Sequence, residues 1–331
     1  MGTVQFGIEE EVYLVQRGKP SLESFYCLAS LLWKKGFFNY AHTAINLSHA
    51  SDIKTGIMGG IEVSTEVCGD ADSAVEALSR RRKELSEAAS SGLIIPMGSL
   101  ADIDAPTKTC GMHIHIGGLD SVERVYYNIA HFLPLLMLLT ASSPCVNGGR
   151  YGNSYRAENC PFIGPLNGNR LDRFQDIIVS RRLKTIEIRV FDTVWDMERI
   201  RTLMGILDRI VKIDDELDYD PAFYRAARKE AALAGYGDKT GRLYRELSGV
   251  CECSEDLFRN TPADFIYDYM ETNGRDRAYS ALDGCYRNNL FEPVNTDGHV
   301  PNLLKIGIGL AGYYIPKIPY SVWKTCRELG V

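Results

Sequence analysis

Four stretches of this 331-residue chain alternate apolar and polar side chains with a period of two, the pattern of β-strands that bury one face. In the first, Val4, Phe6, Ile8, Val12 and Leu14 share one side and Gln5, Gly7, Glu9, Glu11 and Tyr13 the other; only Glu10 breaks the order. The second sets Ile61, Val63 and Val67 against Glu62, Ser64 and Glu66. The third sets Met112, Ile114 and Ile116 against His113 and His115, and the fourth sets Ile186, Ile188 and Val190 against Glu187 and Arg189. One such strand is ordinary for a sheet with one face in water. Four whose outward residues are mostly carboxylates and imidazoles, with few Lys, Thr or Ser, point to a metal site.

Helical patterns fall between and after these strands. Asp70 to Ser91 reads as a helix, with Asp70, Asp72 or Ser73 to cap it, Val75, Leu78 and Leu85 as its stripe, and Gly92 beyond its end. Helices are also predicted over 121–142, barred from continuing by Pro144, and over 196–213, with Ile200, Leu203, Leu207 and Ile210 on one side. The apolar run Ile129 to Ala141 is shorter than the roughly 20 residues that cross a bilayer. It is predicted to be buried and bent at Pro134. The element order predicts an α+β fold, a curved and mainly antiparallel sheet with helices on one face and an open cleft on the other. The chain is read as a single catalytic domain over 1–331. Residues 1–213 carry the motifs, and 214–331 form a mainly helical C-terminal part (Pro221 to Ala234, Gly241 to Gly249, Pro262 to Met270).

A formal charge of −6, from 37 Lys and Arg against 43 Asp and Glu, gives no global attraction to nucleic acid or to an anionic membrane. Neither is expected as a partner. Nine cysteines, an odd number at irregular spacing, predict a reduced compartment. The chain enters its first strand without a basic and then apolar leader, so a cytoplasmic location is expected. Cys251 and Cys253 lack a second pair at zinc-site spacing.

Residues two apart on a strand project from one face about 6.5–7 Å apart, so Glu9 and Glu11 can grip one cation or serve two adjacent ones. Crowded carboxylates repel one another and rise in pKa unless a cation compensates, and carboxylate ligands favour hard ions such as Mg²⁺ or Mn²⁺. His113 and His115 admit three readings: a metal or phosphate contact, a zinc pair of a hydrolase, or structural hydrogen bonding. Glu10, on the apolar face, calls for an Arg partner, the favoured reading, or a bulge that turns it into the site. The Gly-rich segment 142–161 carries Arg150, Tyr155 and Arg156, suited to anchoring a carboxylate or phosphate. No Walker or G-x-G-x-x-G pattern supports a P-loop.

The strings FGIEEEVYL, CGMHIHIG, SSPCVNGGRYGNSYR and TIEIRVFDT, in this order between residues 6 and 193, resemble those of the carboxylate–amine ligases of the glutamate–cysteine ligase type, especially the second bacterial and archaeal group. The resemblance implies a glutamine-synthetase-like fold with ATP and divalent cations, Mg²⁺ or Mn²⁺, on the concave face of the sheet. It implies Glu9, Glu11, Glu62, His113 and Glu187 as metal ligands, and Arg189 as a phosphate contact that is catalytic together with Glu187. His115 and Arg189 would face ATP, and Arg150, Tyr155 and Arg156 the substrate; Glu66 has no assigned part. The implied reaction phosphorylates the side-chain carboxylate of glutamate, which the amine of cysteine or another amino compound attacks. The alternatives are a metal-dependent hydrolase using His113 and His115, and a ligand-binding relative without turnover. Small molecules are the expected partners, and a homo-oligomer is compatible with the sequence. An acceptor pocket is expected to draw on loops that end near Thr55 and span Asn288 to Gly298.

Overall fold

The structure, a computed structural model, describes residues 3–35, 41–43, 60–89, 91–180, 185–293 and 300–317. Its strands are β1 (Gln5–Gln16), β2 (Lys19–Pro20), β3 (Ala41–Thr43), β4 (Gly60–Ser64), β5 (Leu93–Ile95), β6 (Met112–Gly117), β7 (Cys145–Val146), β8 (Gly149–Arg150), β9 (Ile177–Ser180) and β10 (Thr185–Ile188). Its helices are α1 (Ser24–Lys35), α2 (Ala71–Ala88), α3 (Val122–Leu136), α4 (Tyr155–Asn159), α5 (Met197–Val211), α6 (Pro221–Leu233), α7 (Asp238–Leu247), α8 (Asp256–Arg259), α9 (Pro262–Asn273), α10 (Arg275–Asn288) and α11 (Leu303–Tyr314). The main sheet runs β3-β4-β1-β6-β10-β9, with β2 and β5 also paired to β1 and every described pairing antiparallel. The fold class is the expected α+β arrangement.

The alternation decides which face is covered. Phe6 and Ile8 of β1, Ile114 and Ile116 of β6, and Ile186 and Ile188 of β10 join one core with Ile129 and Leu133 of α3 and Leu203 and Leu207 of α5. Burying each such side chain contributes roughly 1.5–3 kcal/mol. Val12, Leu14, Ile61 and Val63 continue the same side into a second core under Phe25, Leu28 and Leu32 of α1, which in turn packs on Tyr313 of α11. Beyond Glu11 the strand is covered on both sides: Tyr13, expected on the polar face, is fully buried and its hydroxyl donates to the Lys108 carbonyl at 2.8 Å.

Asp70 is the cap of α2, its carboxylate accepting from the Ser73 amide at 2.7 Å. The helix expected to reach residue 142 closes at Leu136, two residues after Pro134, and tightens into a 3₁₀ turn at Met137–Leu139. Glu10 is wholly buried and takes the paired role: Arg82 of α2 donates to Oε2 at 3.0 Å and to Oε1 at 2.5 Å. Thr193 and Tyr286 add hydrogen bonds at 3.1 Å each, and Arg82 also donates to the carbonyls of Trp195 and Val194. An ion pair this deep is tolerable because further hydrogen bonds engage both carboxylate oxygens and most of the guanidinium donors.

Candidate active site

Directly opposed residues of an antiparallel pair point to the same side, so the register assembles the site. Glu9 stands opposite His113 of β6, Glu11 opposite Glu62 of β4, and His115 opposite Glu187 of β10. One face therefore holds Glu9, Glu11, Glu62, His113, His115 and Glu187, four of the sheet's strands contributing. Three strand spacings of about 4.8 Å and a register offset of four residues, about 13 Å along the strand, root Glu62 and Glu187 roughly 20 Å apart, wide enough for more than one small ion.

Glu9 is the hub. Its Oε2 lies 3.5 Å from His113 Nδ1 and its Oε1 lies 3.4 Å from His115 Nε2, while His113 Nδ1 lies 3.9 Å from Glu187 Oε1. Burial alone would push the Glu9 carboxyl up, but the two imidazoles outweigh it and hold it well below the usual range. The His115 imidazole is lowered by burial and raised more by the adjacent Glu9 carboxylate and by the charge of Glu187, so its net shift is upward. Glu62 goes the other way: burial, then the charges of Glu9, Glu11 and Glu187, push it well above the carboxylate range, and Arg189 offsets only part. Arg189, just beyond β10, donates to Glu187 Oε1 at 2.7 Å.

Four polar atoms on or beside this face are buried without a hydrogen-bond partner among the described residues: His115 Nδ1 and Nε2, Arg189 Nε and Thr185 Oγ1. Buried polar atoms are nearly always satisfied, so orphans gathered in one place mark where a bound group would supply partners. The oxygen-rich donor set fits a hard divalent cation. Among the described residues, however, no three His, Cys, Asp or Glu side chains already close around a common point.

Several expected residues are engaged elsewhere. Glu66 pairs with Arg80 and Arg81 of α2, and Val67, expected in the core, is 72% exposed. The cause is one extra residue beyond β4: three steps separate Glu9 from Phe6 on β1, but four separate Ser64 from Cys68 on the segment bridged to it. Such a bulge reverses the alternation. Arg150 donates to Asn153 Oδ1 at 3.1 Å and to Asp264 Oδ1 at 2.7 Å, tying the β7–β8 hairpin to α9. Tyr155 is buried, its hydroxyl donating to Asp104 at 2.6 Å.

Arg156 departs furthest from its expected part as a substrate anchor. It is buried and donates to the carbonyls of Val190, Phe191 and Arg189 at 3.0, 3.1 and 3.0 Å. A Cβ at position 111 would overlap its guanidinium, so any larger residue there would push Arg156 off its carbonyls. The Gly111 amide in turn donates to Glu11 Oε2 at 2.7 Å. Arg156 thus sets the backbone that carries Arg189 and the amide that orients Glu11. The alternation does not reveal this, although Gly111 directly before the H-x-H strand is its trace in the sequence. Thr55 and residues 294–298 lie outside the described residues.

No family model matches the chain. A Rhodospirillum rubrum protein named "Putative glutamate--cysteine ligase 2" is 28% identical over 247 residues, 64% of this chain and 62% of its own length. A protein of the same name from Cronobacter sakazakii is 27% identical over 212 residues, covering 54% and 55%. The chain therefore spans less than two thirds of either curated relative. Among solved structures, the glutamate–cysteine ligase of Francisella tularensis in complex with AMP aligns with 96% of this chain and 94% of its own, at a TM-score of 0.58 and 11% identity. A bifunctional glutathione synthetase from Pasteurella multocida aligns with 87% of this chain and 52% of its own, at a TM-score of 0.60 and 13% identity. At that identity the shared feature is the fold. Sequence and fold together relate this chain to the carboxylate–amine ligases of the glutamate–cysteine ligase type.

Proposed function

We propose that the protein is an ATP-dependent carboxylate–amine ligase that joins the side-chain carboxylate of glutamate to the amine of cysteine through an acyl phosphate. The observation that carries this reading is the single sheet face on which four glutamates, two histidines and Arg189 converge beside unpaired buried polar atoms. Glu9, Glu11, Glu62, His113 and Glu187 would hold Mg²⁺ or Mn²⁺, which would neutralise the carboxylates and the triphosphate. Arg189, oriented by Glu187, would face the phosphoryl group in transfer, and His115 would offer Nδ1 to the nucleotide. The chemistry needs positioning and charge neutralisation rather than a protein nucleophile, as in other phosphoryl transfers. The similarity to a ligase solved with AMP supports a nucleotide on this fold.

The test follows ADP and phosphate on incubating the full chain with ATP, Mg²⁺ and glutamate, with and without a panel of amines. The expected result is ADP release that depends on both glutamate and an amine, cysteine giving the largest increase. Nucleotide binding without turnover across the panel overturns the ligase reading, and so does hydrolysis that ignores ATP.

A further inference from the structure

Arg189 follows the last residue of β10, and its backbone is gripped on both sides. Its amide donates to the Asp176 carbonyl at 2.8 Å, one step beyond the Ile188–Ile177 pair of β10 and β9. Its carbonyl accepts from Arg156 Nη2 of α4 at 3.0 Å. The guanidinium gives Nη1 to Glu187, while Nε is buried without a partner among the described residues. Where that Nε points depends on the backbone at 189, hence on Asp176 and Arg156.

Both grips lead to Arg228 of α6, a buried residue facing the buried Asp176. Arg228 Nε donates to Asp176 Oδ2 at 2.5 Å and Nη2 to Oδ1 at 3.0 Å, a bidentate fork. The same Nη2 donates to the Ala157 carbonyl at 2.6 Å, and Nη1 to Glu158 Oε1 at 3.0 Å. Both acceptors belong to α4, the helix that carries Arg156. Tyr224, four residues earlier on α6, donates to Asp176 Oδ2 at 2.7 Å. Desolvation offsets most of what a buried ion pair gains, so the pair is weak support for stability. What the fork does fix is the placement of Asp176 relative to α4.

We propose that Arg228 is a positioning residue for Arg189, holding it through Asp176 and α4 in line with the transferring phosphoryl group; this rests on the ligase reading of the sheet face. Arg228 itself is spent on Asp176, Ala157 and Glu158 and acts only through Arg189. The C-terminal helical part thereby completes the site from behind. Lysine at 228 keeps the charge but not the planar fork, so it cannot hold both Asp176 oxygens and α4 together. A reacting group displaced by about 1 Å can cost on the order of 10²-fold in rate.

The experiment compares the full chain with Arg228→Lys, alone and combined with Arg189→Ala, after circular dichroism has checked the fold. Should Arg228→Lys not fold, Tyr224→Phe, which keeps the ion pair, carries the same comparisons. Amide hydrogen exchange read by NMR is expected to quicken at Arg189 by about tenfold or more, while the amides of β6 keep their wild-type rates. An unchanged Arg189 rate, or equal quickening in β6, overturns the proposal. In turnover, kcat for glutamate- and amine-dependent ADP release is expected to fall by about 10- to 10²-fold with little change in the KM for glutamate. In the Arg189→Ala background the same substitution is expected to cost less than about twofold, because the residue it positions is gone. Losses that simply add overturn the proposal. A wild type that releases no ADP overturns the ligase reading, and the exchange comparison then decides alone whether Arg228 holds Arg189.

Discussion

Glu62 carries the cost of crowding on the open face. Because burial and three neighbouring carboxylates raise it in the folded protein, its neutral form is favoured there. A raised carboxyl contributes stability that is present at low pH and is lost as the pH rises through its folded value. A cation reverses the balance, since it binds the carboxylate and expels the proton. Mg²⁺ uptake is therefore expected to release protons and to weaken as the pH falls. Calorimetry in buffers of different ionisation enthalpy measures this, and a proton-neutral uptake would remove Glu62 from the ligand set. Glu9→Ala and Glu187→Ala are each expected to cut ATP consumption by about 10²- to 10³-fold, on the scale of losing one preorganised electrostatic contact, with unchanged circular dichroism. Full turnover in both would end the ligand assignment. At this scale the sequence was informative where period two governs, as for Glu9, Glu62, His113 and Glu187. It was silent where tertiary packing governs: nothing local tells that Arg156 spends its fork on three carbonyls.

Among the elements, α2 is tied to two central strands, through Arg82 to Glu10 of β1 and through Arg81 to the Ser64 carbonyl of β4. Its cap is local, and Asp70→Ala is expected to lower the denaturant midpoint slightly. Its Arg82 is not local, and Arg82→Met, which leaves Glu10 buried and unpaired, is expected to cost about 3–5 kcal/mol. A loss below 1 kcal/mol would mean that Glu10 finds water or takes up a proton without strain. The cap could be read from Asp70 and the residues after it because capping needs only three residues of chain. The bulge that turns Glu66 toward Arg80 and Arg81 could not, because a one-residue excess exists only relative to the partner strand. The short strands β5 and β9 and the helices α1, α10 and α11 were likewise unannounced, their patterns too brief or too evenly apolar to show a period.

For the molecule as a whole, the residues after 213 are bound into the sheet rather than appended to it. The Tyr279 hydroxyl accepts from the Ala101 amide at 2.8 Å, Asp283 accepts from the Ile94 amide at 2.7 Å, and Arg287 donates to the carbonyls of Ser86, Ala89 and Gly92. A fragment ending at residue 213 is expected not to fold cooperatively, as limited proteolysis and thermal melting would show; a sharp melt would make the C-terminal part a separate unit. The helical patterns over 221–234, 241–249 and 262–270 were readable, but not α10, whose side chains reach β1 and β5. Tyr286 reaches furthest, to the buried Glu10. Three consecutive glutamates make β1 ambiguous, since a slip of one residue would carry Glu10 onto the open face and drive Glu9 and Glu11 into the core. Arg82 and Tyr286 accept a carboxylate at one position only, so together they act as a key that admits a single phase of the strand. The reading frame of the site's chemistry is thus set from beneath it, by residues that no ligand would touch.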